Sequence, residues 1–311
     1  KVSFVIPCYR SANTIGVVVD EIRDTMPTLP EYDYEIILVN DCSPDNTLDV
    51  ISALARSDDR IIAVDLAKNF GQHAALMSGI SHSTGDFVVC LDDDGQTPAN
   101  EVGKLLARLE QDDCDVAMAS YEHKQHSAFR NFGTKLNNRM TEIMLGKPRD
   151  LSMTSYFAIK RFVVDEMLKY KNCFPYLDGL ILRCTRRIRT VPVQHRARME
   201  GSSGYTLGKL FALWMDGFTA FSVKPLRLAS IFGALTAFAG FIYTIVIIIK
   251  HFIYSDIPTG WSSTMALQLI LGGVILLVLG LVGEYIGRIY MCINAAPQYV
   301  ERSVIRRGDG E

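Results

Sequence analysis

Two long stretches without a single charge near the C-terminal end constrain this 311-residue chain more than any other feature. Residues 228–249 give 22 uncharged positions between Arg227 and Lys250, and residues 257–283 give 27 between Asp256 and Glu284. A bilayer's hydrocarbon core needs roughly 20 helical residues, whereas buried core helices are usually shorter and have amphipathic partners. Transmembrane helices are therefore expected at 228–250 and 265–287, with 251–264 as a short external loop. Lys224, Arg227, Arg288, Arg302, Arg306 and Arg307 lie outside this pair, while the loop offers Lys250 beside Asp256. The positive-inside rule then puts both termini on the cytoplasmic face of the plasma (inner) membrane. Both stretches lie too far from the start to be signal peptides, and a first residue other than Met is expected of a trimmed chain.

The remaining residues read as a folded domain. With 32 Lys+Arg against 34 Asp+Glu the formal net charge is −2, so the broad basic field of a nucleic-acid binder is missing. A 49% hydrophobic and 21% charged composition excludes disorder. Seven cysteines without a CxxC pair fit a reducing compartment, with Cys8, Cys42 and Cys90 read as small thiols near strand ends.

From residue 1, apolar β-rich runs alternate with helical patterns. Strands are expected at Val2 to Pro7, Glu35 to Asn40, Ile61 to Leu66, Phe87 to Leu91 and Asp115 to Ser120. Helices are expected at Thr14 to Thr25, after Asn46, at Gln72 to Ser81 and after Pro98. This alternation describes an α/β, mainly parallel sheet covered on both faces, whose ligands bind beyond the carboxyl ends of the strands. Those ends read Pro7-Cys8-Tyr9-Arg10, Asn40-Asp41-Cys42-Ser43 and Asp92-Asp93-Asp94. No GxGxxG or GxxxxGK[ST] follows any of them, so neither a classical dinucleotide site nor a P-loop is supported. Three consecutive aspartates repel one another. Either they form a solvated acidic turn, helped by Gly95 and Pro98, or a hard cation, Mg²⁺ or Mn²⁺, compensates them and bridges to a diphosphate.

The ordered set FVIPCYR (4–10), EIILVNDCSPDNT (35–47), AKNFGQHAAL (67–76) and GDFVVCLDDDGQTP (85–98) resembles the family 2 glycosyltransferases of the GT-A (Rossmann-like) fold. FSVKPLRL (221–228), GEYIGRIY (283–290) and Pro297-Gln298-Tyr299 are similar to its polyisoprenyl-phosphate glycosyltransferase branch. The resemblance implies a cytosolic domain over 1–205, an amphipathic interfacial helix over 206–227, the two spans, and a cytoplasmic tail over 288–311. It implies inverting transfer of a sugar from a nucleotide sugar, UDP-linked, to undecaprenyl phosphate, yielding a lipid-linked sugar for the cell envelope.

Residue by residue, the resemblance gives Pro7, Tyr9 and Asp41 to the uracil and ribose; Asp41 equally suits an Asx-turn before Ser43-Pro44. Asp92 and Asp94 match the DxD, with Asp94 the metal ligand and Asp92 ordering the ribose or a metal-bound water. Asp93 is the acidic middle residue of this donor loop, although on a strand it points the opposite way. Lys68 is a candidate for neutralising phosphate or a solvated loop lysine. Gln72-His73 reverses the family's His-Gln. Asp150 is the candidate base or acceptor-orienting group, one residue or more out of register, with Ser155 in one alignment of the expected acidic position. For the acceptor phosphate, Arg130, Lys135 and Arg139 fall on an amphipathic helix, and Arg198, Ser203 and Tyr205 on a loop similar to the family's mobile acceptor loop, where Gly204 replaces a lysine. Glu284 stands four residues before Arg288, an anchoring pair. Self-association through Gly272, Gly273 and Gly280 is a candidate. Two other readings are a non-catalytic nucleotide-sugar-binding scaffold and a processive polysaccharide synthase; the latter lacks its QxxRW element.

Overall fold

The computed structural model describes residues 1–121, 142, 147–148, 151, 153–194, 224–253 and 260–308. They fall into two compact units, one comprising residues 1–209 and 295–311, the other residues 210–294.

The first unit is built on an eight-stranded sheet. Its strands are β1 (Val2–Cys8), β2 (Tyr34–Asn40), β3 (Ile61–Leu66), β4 (Phe87–Cys90), β5 (Val116–Tyr121), β6 (Phe157–Lys160), β7 (Ile188–Val193) and β8 (Glu301–Ile305), in spatial order β7-β5-β6-β4-β1-β2-β3-β8. β1 pairs parallel with β2 and β4, β2 with β3, and β5 with β7. β6 runs antiparallel between β4 and β5, and β8 antiparallel to β3. Six strands thus share one direction and two oppose it. The expected mainly parallel sheet is present, with β6 inserted where β4 and β5 would otherwise be neighbours. The central strands β1 and β2 are buried along nearly their whole length, as parallel strands covered on both faces require.

The covering helices are α1 (Ile15–Thr25), α2 (Thr47–Ser57), α3 (Gln72–His82), α4 (Val102–Leu109), α5 (Arg161–Leu168) and α6 (Leu177–Cys184). In α1 the buried positions include Ile15, Val18, Val19 and Ile22, and in α4 they are Val102, Leu105, Leu106 and Leu109. Both follow the i, i+3, i+4, i+7 spacing of one apolar face. α3 is buried from Ala74 to Ile80, because Gly79 lets it lie close against Val5 of β1 and Val39 of β2. α2 begins after Asn46, whose side chain makes no cap; the neighbouring Asp45 accepts the Thr47 amide at 3.3 Å and the Thr47 hydroxyl at 2.6 Å.

The segment expected to be a tail contributes an edge strand. The Ala67 amide donates to the Val300 carbonyl at 2.8 Å, Arg302 reaches the Ala67 carbonyl at 3.1 Å, and Glu301 accepts from the Ser78 hydroxyl at 2.7 Å and lies 3.0 Å from the His82 ring. β8 is thereby tied to both β3 and α3. All seven cysteines are free thiols.

In the second unit two helices, α7 (Lys224–Ile253) and α8 (Trp261–Ile293), take in residues 228–249 and 261–283 of the uncharged stretches, and the two helices touch. Each extends past the expected boundaries. Among the described residues one helical segment, Leu271–Ile293, is long and apolar enough by length and composition to cross a membrane. Large apolar side chains such as Phe238, Leu276 and Leu279 are exposed on these helices. The Arg288 guanidinium donates to Glu284 at 2.8 Å, the anchoring i,i+4 pair.

Candidate functional site

The parallel strands β1–β4 deliver their carboxyl ends to one edge of the sheet, and four aspartates fix the loops there. Beyond β4 and the buried Leu91, Asp92, Asp93 and Asp94 are each half-buried, and the chain turns at Gly95 with φ +74°, a left-handed value suited to glycine. Asp92 accepts at Oδ1 from the Gln72 side-chain Nε2 at 3.1 Å and at Oδ2 from the Ser155 hydroxyl. Asp94 accepts from the Gln96 amide at 3.0 Å, closing an Asx-turn. Tyr156, fully buried, donates its hydroxyl to the Pro98 carbonyl at 3.0 Å, holding the acidic loop against the entry to β6.

Asp93 is turned toward the β1 loop. Its Oδ2 accepts the Tyr9 amide at 3.0 Å and the Ser11 hydroxyl at 2.5 Å. Burial pushes this carboxyl above the ordinary range, the donated hydrogen bonds oppose that, and Asp94 adds to it. The carboxylate expected beside the donor therefore ties the acidic loop to the loop that presents Tyr9. The Tyr9 ring is 45% exposed and sits against the Arg10 guanidinium, 5.6 Å from its centroid. Pro7, two residues earlier in the chain, pairs with Val39 inside the sheet.

Asp41 is 4% exposed and spends one oxygen on the Phe70 amide at 2.7 Å and the other on the Gly71 amide at 2.9 Å. Burial raises its pKa against these two hydrogen bonds. It anchors the Asn69-Phe70-Gly71 turn, in which Gly71 has φ +88°. Lys68 lies 4.8 Å over the Phe70 ring, at the lip of that turn. Arg10 and Cys42 both have positive φ, at 60° and 50°. Non-glycine residues in this region are uncommon, and here they mark two of the converging loops.

Behind the Gly71 turn lies a second titratable group. The His73 ring meets Tyr176 edge-on at 5.1 Å, and burial lowers its pKa to about 4, so it is neutral at pH 7. The Tyr176 hydroxyl donates to Asp178 at 3.3 Å. Burial pushes Asp178 up to about 6, opposed by the Tyr176 hydrogen bond and the charge of Lys147. A carboxyl whose folded-state pKa is raised binds its proton more tightly when folded. Its contribution to stability is therefore present below about pH 4 and lost as pH rises toward 6. Asp178→Asn keeps an acceptor for Tyr176 and removes the buried charge. It should raise stability at pH 7.5 by about 1–2 kcal/mol, discounted for partial exposure, and flatten the melting temperature between pH 4 and 6. Thermal melts across that range check this; a variant that melts lower at pH 7.5 contradicts it.

Arg130, Lys135, Arg139, Asp150, Arg198, Ser203 and Tyr205 lie outside the described residues. Gln72, Ser155, Ser11 and Tyr121 belong to the site and were missed as functional residues in the sequence. Tyr121, at the end of β5, has its pKa raised by burial and by the charges of Asp92 and Asp94. Knowledge of the β6 pairing would have found both Ser155 and Tyr121, because both are set by strand register.

Among the described residues no three His, Cys, Asp or Glu side chains converge as a complete cation cage. The donor set still fits Mg²⁺ or Mn²⁺, which take one or two carboxylates and fill the remaining positions with water and phosphate oxygens. Asp92 and Asp94, whose charges both act on Tyr121, are the residues that would hold such an ion.

The glycosyl transferase family 2 model matches residues 3–168, and a model described as the GtrB C-terminal hairpin matches residues 224–289. The undecaprenyl-phosphate 4-deoxy-4-formamido-L-arabinose transferase of Klebsiella pneumoniae is 32% identical over 310 residues, covering 99% of this chain and 94% of that protein. The protein of that name from Proteus mirabilis is 33% identical over 308 residues, covering 98% and 94%. Among solved structures, Mycobacterium tuberculosis glucosyl-3-phosphoglycerate synthase superposes with a TM-score of 0.50 at 19% identity, over 69% of this chain and 76% of the other. Mannosyl-3-phosphoglycerate synthase from Rubrobacter xylanophilus gives 0.50 at 19%, over 73% and 74%. The fold is shared with both synthases, and the sequence matches carry the family: this chain belongs to glycosyl transferase family 2 and is a glycosyltransferase.

Proposed function

We propose that the protein transfers a sugar, with inversion, from a UDP-linked donor to undecaprenyl phosphate on the cytoplasmic face of the inner membrane. The product is a lipid-linked sugar for modification of cell-envelope glycans. The observation that carries this reading is the placement of Asp92 and Asp94 at the carboxyl end of β4, beside loops from β1, β2 and β3 that Asp41, Asp92 and Asp93 tie to one another and to the acidic loop. Support comes from the names of the relatives, which specify an undecaprenyl-phosphate acceptor, and from the hairpin match over α7 and α8. The mycobacterial synthase is also known in complex with Mn²⁺ and UDP-glucose, at a TM-score of 0.50.

In this reading Tyr9, with Pro7 and Asp41 behind it, frames the nucleobase and ribose, and Asp93 holds that frame in register with the metal loop. Lys68 faces the diphosphate. Bound Mg²⁺ or Mn²⁺ supplies charge neutralisation for the leaving diphosphate. Arg130, Lys135, Arg139 and Arg198, with Ser203 and Tyr205, receive the acceptor phosphate; guanidinium groups suit it because they bind bidentately. Asp150 orients the acceptor. A phosphate oxygen is already largely anionic at neutral pH, so orientation contributes more than proton abstraction.

The test is incubation of the full chain in detergent with undecaprenyl phosphate, Mn²⁺ or Mg²⁺ and a panel of radiolabelled nucleotide sugars. Label in the organic phase with a UDP sugar is the expected result. No lipid product with any donor would remove the transferase reading of this acceptor.

A further inference from the structure

Asp92 sits two residues beyond Cys90, and Ser155 two residues before Phe157. Cys90 and Phe157 are direct partners in the antiparallel β4·β6 ladder, which also pairs Phe87 with Lys160 and Val88 with Ile159. Extending that register by two residues sets Asp92 opposite Ser155 on the same face, since side chains on a strand alternate. The Ser155 hydroxyl accordingly donates to Asp92 Oδ2. Gln72 arrives independently, from the first residue of α3, and donates to Oδ1 at 3.1 Å. α3 is fixed at this end by Gly71, whose amide is held by Asp41 at 2.9 Å. Two neutral donors from separate elements thus grip the two oxygens of one carboxylate.

A carboxylate hinged at Cβ can rotate its plane, and one donor leaves that rotation open. Donors on both oxygens fix the plane, and a carboxylate oxygen so fixed directs its lone pairs in a set direction. Groups that orient a ligating side chain are worth about 10–100-fold in metal affinity when removed. Resting on the metal role given above to Asp92, the geometry points to Gln72 and Ser155 as positioning residues that preset Asp92 for the divalent ion. At Ser155, one alignment of an expected acidic position, the chain carries a hydroxyl whose work is directed at the metal loop.

The experiment titrates Mn²⁺ into the full-length protein in detergent with UDP present, following free Mn²⁺ by electron paramagnetic resonance. Ser155→Ala and Gln72→Leu should each raise the Mn²⁺ dissociation constant about 10-fold, and Ser155→Thr, which retains the hydroxyl, should restore it. In an Asp92→Asn background neither substitution should weaken binding further, because both act through the removed carboxylate. In turnover, the Mn²⁺ concentration for half-maximal rate should rise about 10-fold while most of the rate returns at saturating Mn²⁺. A general loss of structure would not give this split, nor the rescue by threonine. If the unsubstituted protein binds Mn²⁺ with UDP and both single variants bind it equally well, the positioning role is overturned and the metal site stands. If the unsubstituted protein binds no Mn²⁺ at all, the metal reading of the whole site falls with it.

Discussion

Asp94→Asn should lower turnover by at least ~100-fold while leaving the melting temperature nearly unchanged. The size follows from rank. Removing a partner that merely orients a metal ligand costs about 10–100-fold, so neutralising a ligand itself belongs at or beyond the upper end. Stability is spared because the turn-closing acceptance of the Gln96 amide at 3.0 Å is one that an asparagine oxygen also provides. The turn at Gly95 depends on that residue's own positive φ and not on the charge. Rate assays at several Mn²⁺ concentrations, alongside thermal melts, check both halves. Turnover within a few-fold of the parent protein would withdraw Asp94 from the metal.

The largest stability effect is expected in a helix, with a sign opposite to helix propensity. Alanine is about 1 kcal/mol better than glycine inside a helix, so Gly79→Ala in α3 would ordinarily stabilise. Here a Cβ at residue 79 would lie 2.4 Å from Val5 Cγ1 and 2.9 Å from Val39 Cγ2. Both valines are fully buried in central strands, and their branched side chains have few alternative rotamers. Overpacking of this kind costs about 1–3 kcal/mol, and displacing α3 would also disturb Gln72 and the Gly71 turn at its start. A net loss of about 2 kcal/mol is expected, or roughly 4–8 °C in melting temperature for a domain of this size. Chemical denaturation measures it directly. A stabilised variant would show that α3 can lift from the sheet at little cost.

How much of this was legible in the sequence differs from element to element. β1 to β4 were readable because each is a short apolar run between turn residues, and such runs need no partner to be recognised. β6 was not, since four residues, Phe157–Lys160, give too little periodicity to separate strand from helix. Its antiparallel insertion between β4 and β5 brings Ser155 to Asp92, and that proximity comes from a pairing 63 residues apart in the chain. Asp93 illustrates the same limit at close range. Alternation indicated that it points away from its neighbours, but only the folded β1 loop supplies the Tyr9 amide and the Ser11 hydroxyl that give the direction a meaning. Asp41 allowed either a ligand contact or a turn; its two hydrogen bonds reach a different loop, that of Phe70 and Gly71.

β8 bears on how the unit that carries the sheet can be produced on its own. A fragment that stops before α7 also discards Glu301–Ile305, leaving β3 with an uncovered row of amides and carbonyls, the arrangement that invites intermolecular strand addition. It also loses the Val300 and Arg302 hydrogen bonds at Ala67, immediately before Lys68 and the turn that Asp41 anchors. Conventional truncation should therefore give a sticky product with a loosened Asn69-Phe70-Gly71 turn. Excising residues 210–294 and splicing the closing peptide back through a flexible tether would preserve that border.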